Sequence, residues 1–327
     1  MVTQVTKLGG TASNVTVGRV SVSMPILLRK RRNRDSTSDE QCFESIKAGV
    51  DALPPGTKMF LNSGEFYSPT LGPENVELLS RFYAKYPEYA DKTFLSVKGA
   101  VRDRLEPDSS MENLRKSVSN ILRALGPHKK LDLFEPARVD SSIPIEQTME
   151  NLVVLVKEGH FAHIGLSECS AETLRKANVV YPVTAAEIEV SVWEYNEEQK
   201  KVIATAGELG IAVIAYSQSL GKGFLTGKIT SPSDVPANDW RAHLTRFQEA
   251  NMAHNMAILS IAWVASLGQH VIPLPGSSKA TRTLENCAAG DIVLSAEEAA
   301  DITAIAEKAD VKGDRYFGGK ELNHLWG

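Results

Sequence analysis

Short apolar runs and amphipathic stretches alternate along this chain for more than 200 residues, and few folds accept that rhythm. Apolar runs that read as buried strands lie at residues 58–61, 93–97, 131–134, 163–166, 183–186, 212–215 and 271–274. The stretches between them have helical spacing. Over residues 111–125 the apolar positions Leu114, Val118, Ile121, Leu122 and Leu125 share one face. Residues 145–157, 171–178 and 197–209 read the same way. Strands that alternate with helices imply βαβ units around a parallel sheet. An eighth strand is expected in a stretch whose pattern is harder to read.

An open doubly wound sheet and a closed (β/α)8 barrel both fit this alternation. The repeat of roughly 20–40 residues, kept up without a break, favours the barrel. At 327 residues the chain exceeds the usual length of about 150 for one domain. Barrels, however, commonly run to about 250 residues or more as one unit. No shift in composition marks a linker, so residues 1–327 are expected to form a single barrel domain.

Composition narrows the function classes. Charged residues make up 23% of the chain and its net charge is −4, which gives no footing for a general phosphate-backbone binder. Cys42, Cys169 and Cys287 are too scattered for a disulfide framework or a zinc site, and a reducing compartment is expected. No apolar run approaches the roughly 18 residues of a membrane span. The expectation is a soluble cytoplasmic protein, monomeric or weakly self-associating, with no metal, nucleic-acid or membrane partner. Two stretches leave the rhythm. Arg29-Lys-Arg-Arg-Asn-Arg34 reads as a solvated basic loop, and residues 230–248 as a long surface loop between barrel units.

In a barrel the chemistry sits where strands end and βα loops begin. Asn62-Ser-Gly-Glu-Phe-Tyr67 follows the first readable strand, Lys98 the second, and Glu135-Pro-Ala-Arg-Val-Asp140 the third. Ser167-Glu168, then Glu187, then Tyr216-Ser-Gln-Ser-Leu-Gly-Lys-Gly223 follow the next three. Pro275-Gly-Ser-Ser-Lys-Ala-Thr-Arg282 and Glu285-Asn286 follow the last. Taken alone, Tyr67 reads equally well as a barrel-rim aromatic.

In order and spacing the series resembles the aldo-keto reductases, most clearly over residues 43–307. Asn62-Ser-Gly-Glu-Phe-Tyr, Phe-Leu-Ser-Val-Lys-Gly and Ala-Arg-Val-Asp140 look most like the fungal pyridoxal reductase-like branch. The resemblance implies a (β/α)8 TIM barrel that reduces an aldehyde or ketone with NADPH. The substrate would be a pyridoxal-like aldehyde or a carbonyl of fungal secondary metabolism. By position Tyr67 matches the proton donor, Lys98 the cation that acidifies it, and Asn62 the third catalytic position. The family usually has Asp where this chain has Asn62, and His where it has Ala137. Members of the branch share both departures. A catalytically impaired NADPH-binding barrel, acting as a redox sensor or partner subunit, is the alternative.

The same resemblance implies a cofactor site. Ser167 and Glu187 match positions that hold the nicotinamide carboxamide, and Tyr216 the aromatic that stacks on the ring. Glu187 stands where the family usually has Gln, and Glu168 where it has Asn. Ser217, Leu220 and Lys222 match the loop over the pyrophosphate. Gly276, Ser277, Lys279 and Arg282 match the 2′-phosphate site, with Glu285 and Asn286 at the adenine. A helix starting near Ser278 would aim N–H groups at that phosphate. Residues 18–36 depart from the family pattern, with Ser21 and Ser23 where glycines are expected and Ser68 in place of the Gly after the tyrosine.

Overall fold

The computed structural model describes residues 2–23, 37–68, 70–102, 105–192, 194–216, 261–308 and 324–327. Eight parallel strands form one sheet in chain order: β3 (Val22–Ser23), β4 (Met59–Gly64), β5 (Thr93–Gly99), β6 (Leu133–Pro136), β7 (His163–Ser167), β8 (Ala185–Glu189), β9 (Ala212–Tyr216) and β10 (Val271–Pro273). Helices α1 (Asp39–Asp51), α2 (Glu74–Lys85), α3 (Met111–Leu125), α4 (Ile145–Lys157), α5 (Ala171–Val180) and α6 (Glu197–Leu209) alternate with strands β3 to β9. Later come α7 (Ile261–Ser266), α8 (Ala280–Ala289) and α9 (Ala296–Lys308). The helices expected over 111–125, 145–157 and 197–209 have those bounds, and the one expected over 171–178 runs on to Val180.

The eighth strand is β3, in the atypical N-terminal stretch. It is too short to show a period of its own. Ser21 and Ser23 nevertheless close the barrel. The Ser21 amide donates to the Pro273 carbonyl at 2.9 Å, and its hydroxyl reaches the same oxygen at 2.8 Å. The Ser23 amide donates to the Pro275 carbonyl at 3.0 Å, and Ser23 bridges to Gly276 in parallel sense. Arg19 clamps the seam from outside the strands. Its buried guanidinium donates to the carbonyls of Ala265, Gly268, Gln269 and Val271, and burial lowers its pKa to about 10. The basic run at 29–34 and the loop at 230–248 lie outside the described residues.

Two apolar cores hold the fold. One fills the layer between strands and helices. The other plugs the barrel floor, where the hairpin β1 (Val5–Lys7) and β2 (Thr16–Gly18) brings Leu8, Ala12 and Val17 against Phe60, Phe94 and Leu133. The plug sits so close that a Cβ on Gly9 would lie 2.3 Å from the Gly210 carbonyl oxygen, which only glycine avoids. Helices start where small polar residues supply caps. Ser38, Ser110 and Ser170 each accept an amide of the following turn, and Asn196 forms a capping box with Gln199. With the floor sealed, the open end is the one where strands run out into the loops that follow them.

Candidate active site

Six strand ends converge at that open end. Parallel register sets their depth: Gly64 pairs with Lys98, Lys98 with Glu135, and Ser167 with Glu187. Asn62 lies one layer deeper, opposite Ser96. Asn62, Lys98, Glu135, Ser167 and Glu187 are all buried.

Tyr67 is brought over this layer by a tight turn leaving β4. The Glu65 amide donates to the Lys98 carbonyl at 2.8 Å, which ties the turn to β5. The Glu65 carboxylate accepts from Ser117 and, at 3.0 Å, from Asn120 on α3. The Tyr67 amide closes the turn on the Gly64 carbonyl at 3.2 Å. Its ring packs edge-on against Phe66, with centroids 5.3 Å apart. Burial pushes the phenol up to about 12; the Lys98 cation opposes that rise, and the Glu187 and Glu135 carboxyls add to it.

Lys98 is an ion-pair partner of Glu187. The ammonium lies 2.8 Å from Glu187 Oε1, with both side chains almost wholly enclosed. It also sits 4.7 Å from the centre of the Tyr216 ring. Burial works to lower the Lys98 pKa, but the charges of Glu187, Tyr67 and Glu135 outweigh it, and the group stays firmly protonated. Glu187 Oε2 accepts from Asn62 Nδ2 at 2.6 Å. Glu187, expected at the nicotinamide carboxamide, thus lies against Lys98 and Asn62, the two positions expected beside the tyrosine.

Glu135 is the member of the set to which the sequence assigned no role. Its Oε1 accepts from the Ser96 hydroxyl at 2.7 Å and from Asn62 Nδ2 at 3.3 Å. Burial first, then the adjacent Glu187 carboxylate, push its pKa well above the ordinary carboxyl range. Burial beside a second carboxyl therefore favours the neutral form of Glu135. The sequence placed it just after the apolar run at 131–134, whereas β6 runs from Leu133 to Pro136 and holds it inside the strand.

At the Ala137 position the side chain is buried and donates nothing. None of the described histidines replaces the absent one. His163 lies at the start of β7 and bonds Thr11 at 2.8 Å, near the barrel floor.

Two features fit a bound dinucleotide. The Ser167 hydroxyl is buried with no protein partner, a polar atom that would meet the carboxamide expected there. Lys279 precedes α8 without capping it through its side chain, so that helix end keeps unpaired N–H groups for an anion. Ser277 is buried, and its hydroxyl accepts from the Lys279 amide at 3.1 Å. Arg282 is paired with Glu285 at 3.2 Å, and Asn286 is buried one residue on. Tyr216 ends β9 and donates its phenol to Glu168, whose carboxylate also takes the Glu189 amide at 2.9 Å. Glu168 is held at φ +55°, a backbone region more natural to Asn. Ser217, Leu220 and Lys222 lie outside the described residues. Among the described residues no cluster of His, Cys, Asp or Glu is placed to hold a metal ion, and no helix is long and apolar enough to cross a membrane.

The model of the aldo/keto reductase family matches residues 31–307. Probable pyridoxal reductase 2 of Schizosaccharomyces pombe is 33% identical over 303 residues, covering 86% of this chain and 90% of that one. Aldo-keto reductase str7 of Strobilurus tenacellus is 32% identical, covering 85% and 84%. Among solved structures, a glycerol dehydrogenase of Gluconobacter oxydans superposes with a TM-score of 0.76 at 20% identity, covering 96% of this chain and 98% of that one.

Proposed function

This chain belongs to the aldo/keto reductase family, and from that premise we propose that it reduces an aldehyde or ketone to an alcohol with NADPH. The observation that carries the proposal is the Tyr67–Lys98 arrangement: a phenol set at the strand-end layer by a turn bonded to the Lys98 carbonyl, above a buried lysine ion-paired with Glu187.

Tyr67 is the acid. A carbonyl oxygen accepts the phenolic proton as the carbonyl carbon is reduced. Lys98 stabilises the phenolate left behind. NADPH, when bound, supplies the hydride. Ser167 would hold its carboxamide through the unpartnered hydroxyl, and Tyr216 would flank its ring. Lys279 and Arg282 would take the 2′-phosphate, with Ser277 and Gly276 beneath it and Glu285 and Asn286 toward the adenine. Ser217, Leu220 and Lys222 complete the assignment over the pyrophosphate.

Ala137 leaves Tyr67 as the donor to the carbonyl oxygen. The 33% identity to a pyridoxal reductase favours an aromatic aldehyde of the pyridoxal type. The impaired-barrel alternative rested on the missing Asp and His and on the atypical stretch at 18–36. The Lys98–Glu187 contact weakens it, because the lysine is not short of a carboxylate. Oxidation of NADPH against a panel of aromatic aldehydes tests the proposal. Turnover with pyridoxal supports it, and NADPH binding without turnover of any carbonyl returns the alternative.

A further inference from the structure

Of the two strands beside Lys98, β4 offers a neutral amide, Asn62, and β6 offers Glu135, which hydrogen-bonds Ser96 and Asn62, yet Lys98 is buried and ion-paired elsewhere. The anion comes from β8, three strands away in the sheet order, at 2.8 Å. We propose that Glu187 is the counter-ion of Lys98, that Asn62 is the donor which holds this displaced carboxylate in place, and that the pair positions the charge which tunes the Tyr67 proton. The proposal rests on the assignment of Tyr67 as acid and makes Glu187 a positioning residue.

The geometry ties the residue types at 62 and 187 together. Asn62 Nδ2 lies 2.6 Å from Glu187 Oε2. A carboxylate at position 62 would face another at hydrogen-bond distance, and like charges that close cannot both ionise. A carboxylate at one position therefore requires a neutral donor at the other. This answers what the missing Asp does: Asp in place of Asn62 is harmful while Glu187 remains and useful once it is gone. Glu187 and Glu135 face Lys98 from β8 and β6, Tyr67 from the turn after β4, and the Tyr216 ring from β9. Among the described residues, these are the charged and titratable groups that act on Lys98, and Arg138 also acts on Tyr67. Among these groups, Glu135 could mask the effect. With Glu187 neutralised, it would ionise and stand in as the anion.

The test therefore starts from Glu135→Gln, which keeps a neutral hydrogen-bonding side chain there. Onto it are added Glu187→Gln, then Lys98→Met or Asn62→Asp. The first readout is the melting temperature without cofactor. Glu187→Gln leaves Lys98 buried and uncompensated and lowers it by about 5 °C or more. Adding Lys98→Met recovers most of the loss, and so does adding Asn62→Asp. The second readout is the alkaline limb of single-turnover carbonyl reduction. Tyr67 and Lys98 each hold a proton, and the first is lost more easily once the nearby anion is gone. Glu187→Gln moves the limb down by about one pH unit or more, and Asn62→Asp moves it back. A merely structural role would lower stability without moving the limb. Strictly additive effects of Glu187→Gln and Lys98→Met on melting, or an unmoved limb, overturn the proposal. If no form reduces any carbonyl, the functional reading fails, and the melting cycle still decides whether Glu187 balances Lys98.

Discussion

Gly64 lies directly against the Tyr67 ring: a Cβ added to it would stand 2.8 Å from Cδ1 of that ring. The contact is with the body of an aromatic that is itself packed on Phe66, so there is little room to yield. Gly64→Ala is expected to displace the phenol and lower kcat by at least about tenfold, since a misplacement of about 1 Å can cost about a hundredfold. NADPH affinity, measured by fluorescence titration, should change little. Parent-like turnover would show that the ring needs no such approach.

Cofactor choice follows from Lys279 and Arg282. Arg282→Ala is expected to weaken NADPH about tenfold or more while NADH changes little, because a hydrogen bond to a charged group contributes about 1.5–3 kcal/mol. Binding titrations with the two cofactors check this. Equal losses would move the 2′-phosphate away from Arg282.

Glu135 gives a prediction in pH. Its folded pKa is raised by burial and by Glu187, so the stability of the site is fully present below the ordinary glutamate value of about 4.3. That stability is lost as pH rises through the folded value. Glu135→Gln cannot ionise, and its carbonyl still accepts from Ser96. Its melting temperature relative to the parent should therefore rise as pH is raised from about 5 to 8. A difference that stays flat or falls would show that Glu135 does not gain a raised pKa on folding.

Arg19 is expected to hold the barrel seam. Arg19→Met removes donors to four carbonyls, three of them flanking or in the loop before β10. Allowing for partial replacement by water, the loss in denaturant unfolding should be roughly 2–4 kcal/mol. A loss below about 0.5 kcal/mol would show that the Ser21 and Ser23 contacts close the barrel alone.

Seven of the eight barrel strands and four intervening helices were legible, because a strand buried on both faces is continuously apolar and its helix repeats with a 3.6-residue period. Strand β3 was not, since two residues carry no period and its place depends on partners 250 residues away. Tyr67 and Lys98 stood out only through the order and spacing of the whole series, because a tyrosine after one strand reads equally well as a rim aromatic. The partner of Lys98 was not: Glu187 lies 89 positions further along the chain, and only barrel closure brings the two together. Glu65 was hidden for a related reason, as its role lies in bonds to Ser117 and Asn120 on α3.

The central claim is that the Tyr67 phenol delivers the proton to the substrate carbonyl. Single-turnover hydride transfer by Tyr67→Phe tests it most directly, because phenylalanine keeps the ring against Gly64 and Phe66 and removes only the hydroxyl. Positioned acid catalysis contributes about 10²–10⁴-fold. The rate should therefore fall by at least about a hundredfold, with NADPH binding retained. Reduction of an accepted aldehyde within a few-fold of the parent rate would mean that another group or water supplies the proton, and would contradict the account.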